Sequence, residues 1–355
     1  MRLSPELESL TVPDWIKRLP KAELHLHLEG CANAETLVAL ARANDRAQLP
    51  LAEVRERLAY SDFAGFLEAF KYVSQQLRTP ADYALLLREL LASLHRQNVL
   101  YAEITLSAGV VLWKRQDLDS VFAALRDAAE QARKEHPVEV CWIFDATRQL
   151  GAEHVAQVAE SALRWQDAGV VAFGIGGDEQ QGPPELFRAT FEKIRAAGLR
   201  VTVHAGETAG PESIWAALRT LGAERIGHGL AAFRDPELLD YLATKQVPLE
   251  VCPTSNLRTG ALALQTGSDD LRRHPLVDYC RRGLRVTLNT DDPGLFDTSL
   301  NQEYALAHGL GLGREDLIGV AENAFASAFC DPKLKRALLE RFRAGVAALP
   351  TTDKS

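Results

Sequence analysis

The stretch KAELHLHLEG, residues 21–30, predicts a β-strand, and it is the first of eight such runs in the chain. Alternate side chains of a strand point to opposite faces, so His25, His27 and Glu29 share one face and three leucines take the other. A buried apolar face does not normally hold two imidazoles and a carboxylate. Taken alone, the stretch fits a metal site about as well as an exposed strand edge or two hydrogen-bonded core histidines.

The composition is that of an ordinary globular protein. The chain has 355 residues, of which 46% are hydrophobic and 25% charged. This length allows two domains, but barrels of alternating strands and helices reach it as one domain. The net charge is −8 and the basic residues are scattered, so we expect no nucleic-acid partner.

Targeting signals and a disulfide framework are both missing from the sequence pattern. The first ten residues lack a basic segment followed by an apolar one, so we expect no signal peptide. No run approaches the roughly 18 apolar residues that a membrane span needs. The five cysteines are odd in number, widely spaced and without a CxxC pair, which favours a reducing, cytoplasmic location.

Eight predicted strands alternate with helical patterns along the chain. The strands are expected at residues 22–28, 99–107, 138–146, 170–177, 200–206, 225–230, 247–253 and 285–290. This alternation implies parallel pairing with right-handed crossovers, either in a doubly wound open sheet or in a closed barrel. No GxGxxG or GxxxxGK[ST] motif follows a strand, and the count of eight favours a single (β/α)₈ barrel over residues 1–355.

Helix ends carry recognisable signals. A Ser120 cap is expected to begin a helix over 120–135, and Gly198 to end one that starts at two prolines. Asp235 followed by proline predicts another helix start. A capped amphipathic helix is expected over 331–345, and the tail 351–355 is expected to fray.

Residues 31–98 are too long for a simple crossover between the first two strands. They contain helical patterns, including 62–77 and 81–98, and predict a helical insertion after the first strand. Barrel enzymes place such insertions beside the active site, so we expect this one to form part of a pocket wall.

Polar residues gather where the predicted strands end. They are His25 and His27 (strand one), Gly176–Glu179 (strand four), His204 and Glu207 (strand five), His228 (strand six), and Asp291 and Asp292 (strand eight). Each has a structural alternative, such as a core histidine, a first-turn carboxylate or a turn residue. If all of these alternatives were correct, four strands would end in polar residues by chance. In a barrel of parallel strands, by contrast, all of these residues come to one rim.

The residue types at this rim indicate a metal site. Three imidazoles and a carboxylate suit Zn²⁺, with iron or manganese less favoured by the ligands alone. His25 and His27 are two apart and so share a face. Asp291 and Asp292 cannot both point inward from a regular strand, but a kink before Pro293 can turn one of them towards the metal.

Six ordered motifs carry a family resemblance. LPKAELHLHLEG, GGDE, VTVHAGE, RIGHG, VCPTSN and LNTDDP closely resemble the adenosine deaminase family of the amidohydrolase superfamily, from about residue 19 to at least 330. The resemblance implies a (β/α)₈ barrel with one Zn²⁺ per chain. It also implies hydrolysis of the 6-amino group of a purine, giving the 6-oxo purine and ammonia.

The same resemblance assigns roles by matching motifs. The implied metal ligands are His25, His27, His204 and Asp291. Glu207 would give a proton to purine N1, and His228 would assist and stabilise the metal-bound hydroxide. Asp292 would orient that hydroxide, and Gly177 would offer its N–H to purine N3. Zinc lowers the pKa of bound water from about 16 to about 7, and a carboxylic acid at N1 is worth about 10²–10⁴-fold in rate.

Substrate contacts are expected from His27, Glu29, Phe66, Phe70, Trp113, Gly177 and Asp292. Glu29 stands where the adenosine-specific pattern has Asp, and it would crowd the 5′-hydroxyl as in adenine deaminases. CPTSNLRTG nevertheless resembles the nucleoside enzymes, and SAGVVLW replaces the usual Ser-Pro-Gln. A 5′-altered nucleoside such as 6-aminodeoxyfutalosine satisfies both signals.

Such a substrate carries a carboxylated aromatic group and needs an apolar wall and a cation. Trp113 with Lys114 and Arg115, and Phe66 with Phe70, are candidates, although the two cations fit a solvated loop and the two phenylalanines fit a helix core. Free adenine is the alternative substrate. Another metal-dependent esterase or amidase, and a non-catalytic purine-binding relative, are the alternative classes. The oligomeric state is not readable from the sequence.

Overall fold

Eight parallel strands form a nearly closed barrel in the computed structural model, which describes residues 10–45 and 49–350. The strands are β1 Lys21–His27, β2 Val99–Leu106, β3 Glu139–Thr147, β4 Val170–Gly176, β5 Arg200–Ala205, β6 Arg225–His228, β7 Leu249–Val251 and β8 Val286–Leu288. Their spatial order is the chain order, and every neighbouring pair is parallel. The predicted (β/α)₈ barrel is confirmed.

The barrel closes between β1 and the segment that follows β8. The His27 N–H donates to the Asp291 carbonyl at 2.8 Å, and the Asp291 N–H donates to the His25 carbonyl at 3.1 Å. These bonds tie the end of β1 to the turn after β8. Closure therefore brings together two chain segments that the sequence separates by more than 260 positions.

Helices surround the barrel. They are α1 Asp14–Arg18, α2 Ala34–Asp45, α3 Leu51–Arg57, α4 Phe63–Gln76, α5 Pro80–Arg96, α6 Ala108–Trp113, α7 Leu118–Ala132, α8 Ala152–Arg164, α9 Arg188–Ala196, α10 Pro211–Ala216, α11 Pro236–Lys245, α12 Pro253–Arg258, α13 Ala261–Thr266, α14 Leu276–Arg281, α15 Pro293–Phe296, α16 Leu300–Gly309, α17 Arg314–Ser327 and α18 Pro332–Ala347. Helices α2–α5 lie in the predicted insertion 31–98. The predicted tail 351–355 falls outside the described residues.

Two local predictions can be compared with the observed helix starts. Asp235 caps α11, because its side chain accepts hydrogen bonds from Glu237 N and Leu238 N, as predicted. The Ser120 cap is wrong. Helix α7 begins two residues earlier, at Leu118, and Asp117 caps it by accepting from Asp119 N at 3.2 Å. A carboxylate that reaches the first free N–H groups is at least as good a cap as serine.

The predicted ends of the later strands are too long. Strand β6 ends at His228 and β7 at Val251, because the next residues leave the sheet for the rim loops. The chain turns sharply there: His228 has φ +62° and Gly229 φ +61°. The shorter strands place functional residues on the loops that begin at the rim.

The barrel interior is polar as well as apolar. The inward positions of β1, β2, β6 and β7 hold Lys21, Glu23, Glu103, Arg225 and Glu250, all at most 1% exposed. The outward face of β1 packs Leu24 and Leu26 against the helices. Among the described residues, no helix combines the length and hydropathy required to span a bilayer. None of the five cysteines is in a disulfide.

Candidate active site

Four side chains from β1, β5 and the turn after β8 meet at the carboxyl end of the barrel. One ligand atom from each of His25, His27, His204 and Asp291 lies within 4.8 Å of the other three. His27 Nε2 is 3.2 Å from His204 Nε2, and Asp291 Oδ1 is 3.3 Å from His25 Nε2 and 3.4 Å from His27 Nε2. The structure thus brings together all four side chains that the resemblance implies as metal ligands.

Backbone conformation aims two of the site residues. Asp291 has φ +64° and His228 has φ +62°, in the left-handed region that non-glycine residues seldom adopt. Such a conformation costs on the order of 1–3 kcal/mol and persists where the surroundings enforce it. At Asp291 the barrel-closing hydrogen bonds enforce it. The expected kink before Pro293 is therefore present, and it gives the side chains of Asp291 and Asp292 different directions.

The cluster fits a metal ion. His25 Nε2 is buried and has no hydrogen-bond partner among the described residues, while its Nδ1 is 2.8 Å from Glu250 Oε2. Burial lowers the pKa of His27 to about 4, and burial with the neighbouring imidazoles lowers that of His204 well below its ordinary value. His27 and His204 are therefore neutral at neutral pH, as metal ligands must be. At His25 burial has the same effect, but the carboxylates of Asp291 and Glu250 outweigh it and raise the pKa to about 10.

Glu207 stands beside the cluster on a turn that Glu179 builds. The Glu179 carboxylate accepts hydrogen bonds from the N–H groups of Gly206, Glu207 and Thr208 at 2.7, 2.7 and 2.9 Å, and from Ser213 Oγ at 2.6 Å. These four hydrogen bonds to one carboxylate fix the backbone after β5. It explains why the GGDE motif and the HAGE motif occur together, a link that the sequence alone did not show.

Burial controls the ionisation of Glu207. Burial, together with the charges of Asp291 and Glu179, raises the pKa of Glu207 well above its ordinary value. Its Oε2 lies 3.5 Å from His228 Nε2, and its Oε1 accepts from Thr259 Oγ1 at 3.4 Å. This shift favours the protonated carboxyl group, which is the form that can donate a proton to a bound ligand.

Asp292 and Gly177 border the same space. Asp292 is 2% exposed and its Oδ1 has no hydrogen-bond partner among the described residues. Burial and the adjacent Asp291 raise the pKa of Asp292 well above its ordinary value. Gly177 has φ +91°, a conformation that favours glycine, and a Cβ there would displace the flexible end of the Gln149 side chain, whose Oε1 would lie at 2.2 Å.

A cavity of about 350 Å³ opens over the cluster and extends under the helical insertion. Its lining includes the polar site residues His27, Asp145, Gly177, His204, Glu207, His228, Asp291 and Asp292. Its outer wall is largely apolar and includes Phe63, Phe66, Leu67, Phe70, Val110, Trp113 and Leu150. The three aromatic residues that the sequence suggested for the wall are therefore at the cavity, with Trp113 48% exposed at its mouth.

Glu29 does not line this cavity. It begins a short 3₁₀ turn after β1 instead of continuing the strand, and it is 1% exposed. Its Oε1 accepts a hydrogen bond from Ser107 N at 3.2 Å, and Ser107 itself lines the cavity. In this structure Glu29 thus holds the loop after β2 and reaches the cavity only through Ser107.

Lys114 is not a solvated loop cation, although Arg115 is exposed. Its Nζ donates to the carbonyls of Ser74, in the last turn of α4, and of Leu77, just beyond it, and so ties α6 to the helical insertion. Burial lowers the pKa of Lys114 to about 8. Neither cation lines the cavity, whereas Lys71 does, at a point where it also pairs with Glu68 at 3.3 Å.

Sequence reasoning missed the polar residues that support the site from below. Glu250 accepts from Arg225 Nε at 2.6 Å, and Arg225 Nη2 lies 2.5 Å from Glu103 Oε2. Glu103 and Glu250 each interrupt an otherwise apolar strand, which is the signal that could have identified them, whereas Arg225 is the first residue of β6. Asp145, at the end of β3, also lines the cavity, and burial raises its pKa to about 7.

Known proteins match almost the whole chain. The adenosine deaminase family model matches residues 20–344. An aminodeoxyfutalosine deaminase of Streptomyces avermitilis is 39% identical over 322 residues, covering 89% of this chain and 88% of that protein. An adenine deaminase structure from Arthrobacter aurescens has a TM-score of 0.86 at 29% identity, covering 93% of this chain and 100% of that one.

A third relative carries a metal. The structure of an amidohydrolase from Burkholderia ambifaria with bound Zn has a TM-score of 0.83 at 27% identity, covering 94% of this chain and 93% of that one. The family match spans more than half of this chain, and its limits enclose all four candidate metal ligands. The chain belongs to the adenosine deaminase family.

Proposed function

We propose that this chain is a Zn²⁺-dependent deaminase of a purine nucleoside whose 5′ position carries an aromatic, acidic group, as in 6-aminodeoxyfutalosine. As a member of the adenosine deaminase family it is a metal-dependent purine deaminase, a hydrolase. The observation that carries the finer proposal is the cavity, which combines a polar floor with an extended aromatic outer wall.

The metal would be held by His25, His27, His204 and Asp291. A divalent ion in this site supplies a Lewis acid that lowers the pKa of a coordinated water towards about 7. Three nitrogen ligands and one oxygen ligand suit Zn²⁺, and the bound Zn of the Burkholderia relative supports that choice. The buried Nε2 of His25, which makes no hydrogen bond among the described residues and lies 3.3 Å from Asp291 Oδ1, agrees with an ion in this position.

The remaining polar residues would act on the purine. Glu207, whose pKa is raised by burial, would donate to N1 as C6 becomes tetrahedral, so that negative charge does not build up on the ring. Gly177 would donate its N–H to N3. Asp292 and His228 would contact the attacking oxygen. The 6-amino group then leaves as ammonia and the 6-oxo purine remains.

The substrate class follows from the outer half of the cavity. Its volume of about 350 Å³ lies at the lower end of the range of about 300–1,000 Å³ that is typical of ligand pockets. Trp113, Phe66 and Phe70 would cover an aromatic group beyond the sugar. Lys71, at the cavity wall, would pair with its carboxylate in place of Lys114 and Arg115, which the sequence suggested.

The test is a substrate panel at constant metal loading. The Zn²⁺-loaded protein is assayed for ammonia release from adenosine, 6-aminodeoxyfutalosine and adenine, and kcat/KM is compared. We expect 6-aminodeoxyfutalosine to be preferred over adenine by at least about 100-fold, which corresponds to about 3 kcal/mol of added binding in the transition state. A preference for adenine of the same size would reject the nucleoside proposal.

Adenine deamination is the second candidate function. The adenine deaminase of Arthrobacter aurescens shares the fold over 93% of this chain, which favours it. A free base would leave the aromatic wall uncovered, so substitutions there would not change its kcat/KM. The same panel therefore separates the two candidates.

A further inference from the structure

We propose that Asn256 and His274 are positioning residues that hold His228 as the neutral Nε2–H tautomer, so that His228 is a hydrogen-bond donor to the reacting centre and not a base. The inference rests on the proposed function for its catalytic meaning. Its structural part depends only on the direction of three hydrogen bonds within the fold.

The donor and acceptor roles in these hydrogen bonds are fixed by a backbone amide, which can only donate. The N–H of Leu276 donates to Nδ1 of His274 at 3.1 Å, so this nitrogen carries no proton. A neutral imidazole then has its proton on Nε2. His274 Nε2 lies 3.1 Å from Oδ1 of Asn256, to which it therefore donates.

The side-chain amide of Asn256 in turn fixes which nitrogen of His228 accepts a hydrogen bond. Its Oδ1 is occupied as an acceptor, and its Nδ2 lies 3.1 Å from Nδ1 of His228. An amide nitrogen can only donate, so Nδ1 of His228 is the acceptor and has no proton. The proton of a neutral His228 is consequently on Nε2.

Burial leaves no alternative arrangement. The exposed fractions of His228, Asn256 and His274 are 1%, 0% and 5%, so water does not compete for these atoms. Turning the amide of Asn256 over would place N–H against N–H at His274, because the Leu276 N–H fixes the tautomer of that ring. This repulsive contact between buried groups would remain whichever tautomer His228 adopted.

The donor points into the candidate active site. His228 Nε2 lies 3.5 Å from Glu207 Oε2 and 4.0 Å from Asp291 Oδ2. A nitrogen that already carries a proton offers no lone pair to an attacking water. His228 can instead donate to an oxygen on which negative charge develops, and that contact strengthens as the charge grows.

The test uses protein labelled with ¹⁵N at its histidines and loaded with Zn²⁺, without substrate. Long-range ¹H–¹⁵N correlation spectra distinguish a protonated from an unprotonated ring nitrogen, and a His228→Gln variant assigns the signals. We expect a protonated Nε2 and an unprotonated Nδ1 at position 228. A protonated Nδ1 in the parent protein would overturn the inference.

Two further variants separate positioning from packing. His274→Gln retains a donor at the place of Nε2, so we expect the tautomer and kcat to stay close to those of the parent. Asn256→Asp replaces the amide donor with an acceptor, so we expect the proton to move to Nδ1 and kcat to fall by about 10- to 100-fold at unchanged Zn²⁺ content. If Asn256→Asp leaves the tautomer unchanged, or if His274→Gln loses it, the proposal fails.

The two proposals fail in different ways. If no purine releases ammonia but the spectra show Nε2–H at His228, the proposed function is wrong and the assignment of the tautomer stands. If the parent protein deaminates a purine but carries Nδ1–H at His228, the function stands and this inference is wrong.

Discussion

Nδ1 of His25 lies 2.8 Å from Oε2 of Glu250, within the barrel and away from all solvent. Glu250 is in turn bonded to Arg225, whose guanidinium also pairs with Glu103. Thr202 Oγ1 lies 3.2 Å from both oxygens of Glu250. This buried chain holds the imidazole in one orientation and directs its Nε2 towards the other three candidate metal ligands.

Replacement of Glu250 by Gln should weaken metal binding. The amide still fills the space, but it lacks the charge that favours a proton on His25 Nδ1 and a lone pair on Nε2. Loss of such a partner typically costs 10- to 100-fold in metal affinity. The Zn²⁺ dissociation constant, measured by competition with a chelating dye, should rise by about this factor.

The matched control for Glu250 is Glu224→Gln. Glu224 pairs with Arg200 at the protein surface, where both side chains are partly exposed. A surface pair contributes little and does not touch the site. An equal change in Zn²⁺ affinity for both variants would show that the buried chain has no specific role.

Glu207→Gln should retain the metal but lose most of the turnover. The amide cannot give a proton to a ring nitrogen, and general acid catalysis of this kind is worth about 10²–10⁴-fold. We expect kcat to fall within that range at unchanged Zn²⁺ stoichiometry. Glu212→Gln is the control, because Glu212 is an exposed residue of helix α10. Near-normal kcat for Glu207→Gln would contradict the proton-donor role.

Lys71→Met should affect only the substrate that carries a carboxylate. Removal of one charge partner at a partly exposed site is expected to raise KM for 6-aminodeoxyfutalosine by about 5- to 10-fold, equivalent to about 1 kcal/mol. Adenosine, which has no carboxylate, should show no change. Arg115→Met is the control, because Arg115 does not line the cavity. Equal effects on both substrates would exclude the ion pair.

Trp113→Ala tests the aromatic wall separately from the charge. The indole covers the cavity mouth, and its loss should raise KM for 6-aminodeoxyfutalosine while that for adenine stays constant. Leu264→Ala removes another exposed apolar side chain, which does not line the cavity, and should change neither value. A rise in KM for adenine with Trp113→Ala would place the base, and not its substituent, against this wall.

The free energy of unfolding should depend on pH through the buried Glu303. Burial raises its pKa to about 7 from 4.5, against the hydrogen bonds from Thr254 and Thr298. The folded state therefore holds this proton more tightly than the unfolded state. The stabilisation is complete below about pH 4.5 and is lost as the pH rises towards 7, by at most ~3 kcal/mol.

Glu303→Gln should remove this component of the pH dependence. The free energy of unfolding of both proteins, Zn²⁺-loaded, is measured by denaturant titration between about pH 4.5 and 8. Relative to Glu303→Gln, the parent protein should lose stability as the pH rises. If the difference between the two stays constant over this range, Glu303 does not change its ionisation on folding.

Short-range patterns predicted much of the architecture. The alternation of His25 and His27 with leucine identified β1, and eight such runs with intervening helices identified the barrel, because strand and helix periodicities are local properties. The exact starts of helices were predicted less well: Asp117 caps α7, and not Ser120 as predicted. Several acceptors near one helix start compete, and only the backbone geometry selects among them.

The sequence by itself determined the barrel and the set of polar residues at its rim, because parallel strands must deliver their last residues to one end. Tertiary structure decided how those residues are supported: that Glu250 holds His25, that Glu179 holds the Glu207 turn, and that Glu29 lies behind Ser107. Such contacts join side chains from strands that are distant in sequence. Their distances depend on barrel closure and burial, which no local pattern records.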